Sequence, residues 1–72
     1  MTNTELLDRL ITDSGKKKLY LAEKVGLSRA GFRNCMTNKA EFTASQIDTL
    51  CEELNIRSLK LKEAVFFAKV GS

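Results

Sequence analysis

The sequence predicts an all-α fold of five short helices, and three observations carry that expectation. Apolar residues recur at helical spacing in separate segments, most clearly Leu6-Leu7-Leu10-Ile11 and Ile47-Leu50-Cys51-Leu54. Polar residues that start helices stand before such segments, at Thr2, Ser28, Thr43 and Ser58, and residues that end them stand behind, at Gly15 and Asn38. The chain has no proline, and no Gly/Ser-rich linker, low-complexity tract or internal repeat divides it. Its 72 residues, 43% of them apolar, make a single domain over residues 1–72 with room for one core. A core of this size supplies about 3–5 kcal/mol net, so a partner or a second copy is expected to matter to stability.

Helix 1 is expected to open on a T-x-x-E capping box, Thr2 to Glu5, and to end at Gly15. The run Lys16-Lys17-Lys18 then leads into helix 2. In isolation such a run is as readily a solvated cluster as a set of phosphate contacts. Tyr20 is either a core-edge aromatic or a phosphate-contacting hydroxyl. Helices 2 and 3 fold across a tight turn, which brings their backbones close and calls for a small contact residue. Ala22 is that residue, and Gly26 supplies the positive φ of the turn. Leu21, Val25, Leu27, Phe32 and Cys35 fill the wedge between the two helices.

Helix 3, residues 28–37, takes Ser28 as its N-cap. Wound at about 100° per residue, it places Phe32, Cys35 and Met36 on one side and Arg29, Ala30, Arg33, Asn34 and Thr37 on the other. Gly31 inside it costs about 1 kcal/mol against Ala and is either a close-approach position or a tolerated cost. Asn38 ends the helix because Asn accepts the left-handed conformation. Helix 4 has the clearest start: Thr43 to Gln46 reads as a capping box, with Phe42 before it placed to staple against Ile47. Its acids, Asp48, Glu52 and Glu53, turn that helix away from any polyanion, and Glu52-Glu53 is expected as solvated surface. Ser58 caps helix 5, in which Leu61, Ala64, Val65 and Ala68 form one apolar stripe while Leu59, Phe66, Phe67 and Val70 crowd beside it. The excess apolar surface is core filling around helix 1 or a dimer surface, and the dimer is preferred.

Here the residues carry a likeness to a known family. The segment Lys18–Asn38 resembles the helix-turn-helix of the Cro/phage-repressor (Xre-like) family of small DNA-binding regulators. That pattern has an aliphatic then Ala, three further residues, Gly, an aliphatic, a capping Ser or Thr, and apolar positions in the second helix. This chain gives Leu21-Ala22, Gly26, Leu27, Ser28, Phe32 and Cys35 at the same spacing. It departs at Lys18, where the family commonly has Gln, at Phe32, usually aliphatic, and at Met36, often Glu. The resemblance implies a compact five-helix, lambda-repressor-like DNA-binding domain with helices 2 and 3 as the helix-turn-helix. It further implies base reading by Arg29, Ala30 and Asn34, with Arg33 reading a base or holding a phosphate, and phosphate contacts from Lys17, Lys18, Ser28, Thr37 and Lys39.

Side-chain chemistry and charge point the same way. Arg bonds guanine through two donors, Asn bonds adenine through its amide, and Ala touches a thymine methyl. The net charge is only +3. Between Ser14 and Ala40, however, seven basic residues face the single acid Glu23, a balance of +6, while the segments before and after carry −2 and −1. Positive charge so concentrated attracts phosphate and releases counterions. The expected partner is double-stranded operator DNA, bound by a homodimer, in a regulator of transcription. The alternative is a protein-binding module on the same fold, such as an antitoxin or a phage regulator that docks on another repressor. RNA is disfavoured because aromatics at exposed stacking positions are lacking.

Catalysis finds little footing. There is no His, no Gly-rich loop after a strand and no ligand cluster, so no enzyme activity, metal, cofactor or small-molecule substrate is expected. Cys35 and Cys51 fall at apolar helix positions and read as small buried hydrophobes in a reducing compartment. No signal peptide or membrane-length apolar run is evident, which gives a cytoplasmic expectation.

Overall fold

Five α-helices and no strand make up residues 1–68, the part of the chain that the computed structural model describes. They are α1 Thr4–Ser14, α2 Lys18–Lys24, α3 Arg29–Met36, α4 Ala44–Glu53 and α5 Leu59–Phe66. Helix starts follow local chemistry. Ser28, Thr43 and Ser58 each accept, through the side-chain oxygen, the N–H three residues on, satisfying an otherwise orphan donor. At Thr43 the box closes both ways, with the Gln46 side-chain oxygen Oε1 accepting the Thr43 N–H at 2.9 Å. Gly15 and Gly26 take φ of 75° and 74°, the conformations that end α1 and turn the chain between α2 and α3.

α1 starts differently from the sequence expectation. Its cap is Asn3, whose side chain accepts the Leu6 N–H, and the Thr2–Glu5 box does not form. The reason is tertiary. Thr2 is buried, and its N–H and C=O are both engaged by the Asn38 side chain, at 3.1 and 3.0 Å. The Asn3 N–H goes to the Val65 carbonyl and the Ala68 N–H to that of Met1. The entering chain is therefore held extended between α3 and α5, and the helix opens one residue later. Glu5 still lies in the first turn, where its charge complements the helix dipole.

Asn38 serves two purposes, since it also adopts φ 60° to end α3. Asn38→Ala is expected to cost about 2–4 kcal/mol, from the left-handed backbone and two lost hydrogen bonds. Asn38→Gly relieves the backbone and loses only the bonds. Urea unfolding of the two variants checks this, and equal losses would leave no backbone contribution.

One cluster of buried side chains forms the core: Leu7 and Ile11 of α1, Leu21 and Ala22 of α2, Phe32 and Cys35 of α3, Ile47 and Leu50 of α4, and Val65 and Phe66 of α5, with Val25, Phe42 and Ile56 from the connections. α2 packs against both α3 and α4, and α1 against α5. Phe42 stands edge-on between Phe32 (5.8 Å) and Phe66 (6.1 Å), joining α3 to α5 through three rings. α5 does not bury the expected stripe. Ala64 is exposed, Ala68 half-buried, and Phe66 takes the core position beside Val65. A phenyl ring removes more apolar area from water than a methyl, so the helix turns its larger side chain inward. Leu59 and Phe67 remain exposed, and Val70 lies outside the described residues.

Candidate nucleic-acid interface

α3 is eight residues long, about 12 Å at 1.5 Å per residue. Phe32 and Cys35 anchor it, and the half-buried Met36 borders the same side. Arg29, Ala30, Arg33, Asn34 and Thr37 are all exposed and fall within an arc of about 140° at helical pitch. The expected base-reading set therefore shares one outward face. That face has two edges. Arg29, Arg33 and Thr37 border an open groove of about 630 Å³ shared with α1 and α2, whereas Ala30 and Asn34 lie on the far edge. Neither arginine forms an ion pair among the described residues.

The ends of α3 are fixed by its own polar groups. The Ser28 hydroxyl accepts the Gly31 N–H at 3.0 Å. A Cβ at Gly31 would stand 3.2 Å from that same oxygen, so the glycine leaves room for the cap. At the other end the Asn34 carbonyl receives the N–H groups of Thr37, Lys39 and Ala40, which pins the loop carrying Lys39. The Thr37 hydroxyl donates back to the Arg33 and Asn34 carbonyls, at 3.0 and 3.3 Å. While that bond holds, Thr37 has no proton to offer a phosphate.

The lysines divide. Lys17 and Lys39 are exposed and without ion pairs among the described residues. Lys18 is held by Asp8 at 2.6 Å, which offsets a cation at the positive end of α2. Lys16 turns away from α3 to the end of α4, bonding the Glu53 carboxylate at 2.9 Å and the Glu53 carbonyl at 2.7 Å. Glu53 is thus an ion-pair partner and not the solvated acid expected from its exposed neighbour Glu52. Tyr20 belongs to the same cluster, its ring 5.8 Å from the Lys16 ammonium and 5.5 Å from that of Lys24. Among the described residues, five of the seven basic residues between Ser14 and Ala40 have no carboxylate partner. Sequence reasoning missed these pairings because Lys16 and Glu53 lie 37 positions apart.

Hydrogen bonding from Lys16, and then from Tyr20, lowers the Glu53 pKa below its ordinary value. A depressed carboxylate pKa contributes stability that is complete above the unfolded value, about 4.3. That contribution is lost as pH falls through the folded value. Acid titration of the urea midpoint is expected to show this decline, and Glu53→Gln is expected to reduce it. An unchanged acid limb in the variant would remove Glu53 from the account. Burial raises the Cys35 and Cys51 thiols, and both cysteines are free. Among the described residues no group of three or more His, Cys, Asp or Glu side chains is placed to hold a metal ion. No helix there is long and apolar enough to cross a membrane.

No protein-family model, curated protein or solved structure matches the chain. Its functional reading therefore rests on its own residues.

Proposed function

We propose that the chain is a sequence-specific double-stranded DNA-binding regulator, with α2 and α3 as a helix-turn-helix and α3 as the recognition helix. The observation that supports this most is the exposed arc of α3, where two arginines with no ion pair among the described residues stand beside Asn34 and Ala30. A B-DNA major groove about 12 Å wide admits a helix of this kind. Arg29, Arg33 and Asn34 present donors to base edges there, and Ala30 presents a methyl to thymine. Lys17, Ser28 and Lys39 flank the arc for phosphates, and Lys18 joins them by leaving Asp8. The helix-end geometry gives Thr37 a weaker part. Occupation of an operator then excludes other proteins sterically.

A module of this size gains from two-fold symmetry, since paired recognition helices one helical turn apart match a palindromic site. Leu59 on α5 and Phe67 just past its end, 69% and 55% exposed, are the proposed dimer contacts. Those same side chains favour the second reading, a module that binds another protein through α5.

Binding to the DNA flanking its own gene, titrated against salt and scrambled competitor, tests the first reading. A preference of about 10³-fold with a steep salt slope is expected. Weak binding indifferent to sequence overturns it. A one-to-one complex with a neighbouring gene product, abolished by Phe67→Ser, would favour the second.

A further inference from the structure

The groove beside α3 has a chemistry that DNA does not match. Its lining is largely apolar, with the buried Ala22 and Phe32, the half-buried Met36 and the exposed Leu19. Its two walls carry opposite charge. Arg29 and Arg33, four residues apart on α3, form one, and Glu5 and Asp8, three apart on α1, form the other. Asp8 is already paired with Lys18, whereas Glu5 and both arginines have no ion-pair partner among the described residues. A duplex is anionic along both strands and is repelled by the α1 wall.

We propose that this groove binds an amphipathic helix of a partner protein, apolar along one stripe, with carboxylates flanking the edge that meets Arg29 and Arg33. Charge complementarity selects that occupant. The apolar lining takes its stripe as helix-in-groove recognition does, and the carboxylates meet the arginine forks, the strongest ion-pair geometry available. Because the same two arginines face the duplex in the proposed function, on which the regulatory part of this inference rests, peptide and DNA exclude one another. The groove is thus an off-switch for DNA binding.

The probe is a 16-residue designed helix with Leu at i, i+3, i+4 and i+7 and Glu on one flank. Two controls accompany it, one with Gln for Glu and one with Ser for Leu. Titration into the isotope-labelled full chain, without DNA, is expected to shift the Ala22, Phe32 and Met36 amides. Saturation is expected below about 1 mM, and both controls should bind about tenfold more weakly, a loss of about 1.4 kcal/mol. Leu19→Gln, on an exposed helix position, should weaken the probe similarly and leave duplex affinity unchanged. Shifts centred on Leu59 and Phe67, equal binding of the Gln control, or no saturation overturn the groove. Probe binding in a chain that ignores operator DNA upholds the groove and overturns the DNA reading. Joint occupancy by probe and duplex overturns the switch.

Discussion

Replacing Arg29 and Arg33 together by Ala is expected to lower affinity for an operator duplex by about 2–6 kcal/mol, from two losses of about 1–3 kcal/mol each. The structure gives no reason for the fold to suffer. Both side chains are exposed and form no ion pair among the described residues, while Phe32 and Cys35 on the opposite side of α3 keep the helix docked. The loss should therefore appear at unchanged unfolding midpoint, and it should be sequence-dependent, since a fork that bonds guanine discriminates among bases. Lys39→Ala supplies the contrast. Lys39 sits on a loop pinned by the Asn34 carbonyl and directs a single charge outward. Its loss should weaken binding to every sequence alike and reduce the salt slope by about 1. Fluorescence titrations of cognate and scrambled duplexes at several salt concentrations separate the two roles. Equal effects on both duplexes from both variants would remove the division between base reading and phosphate contact.

Phe42→Ala is the substitution expected to cost the fold most. Truncating a buried phenylalanine costs about 3–5 kcal/mol through lost transfer energy and the cavity left behind. Here the ring stands between Phe32 and Phe66, and each edge-to-face pair adds about 0.5–1.5 kcal/mol to simple burial. A domain of this length has about 3–5 kcal/mol in all, so the variant should be largely unfolded at room temperature. Circular dichroism against temperature reads this directly. Phe42→Leu, which keeps most of the apolar volume, should retain a cooperative transition at lower temperature. A folded Phe42→Ala protein with an unchanged midpoint would mean that α3 and α5 do not depend on the ring between them.

The candidate interface residues depend to different degrees on distant parts of the chain. Arg29, Ala30, Arg33 and Asn34 share a face because helical pitch puts them there, and that face was legible in the spacing alone. Lys17 and Lys18 are adjacent and identical in type, yet among the described residues Lys17 has no ion pair while Lys18 is held by Asp8. The opposed walls of the groove were likewise invisible, because Glu5 and Arg29 come to line one groove only when the helices have assembled. Phe42 looked like a local staple for α4. It stands at the centre of the aromatic chain, a role that no window of a few residues contains.

By itself the sequence determined the helix boundaries at Ser28, Thr43, Ser58, Gly15 and Asn38, and the outward face of α3. Each follows from interactions spanning three or four residues, or from a backbone conformation that Gly or Asn accepts. The tertiary structure alone decided the start of α1 and which α5 side chains are buried. It also decided the pairing of Lys16 and Lys18. At the start of α1, Asn38 holds the backbone of Thr2 from 36 positions away, and at the end of α4, Lys16 reaches Glu53 across 37. Contacts over such distances form only when the core has closed, so their outcome depends on how the helices pack and not on any local preference.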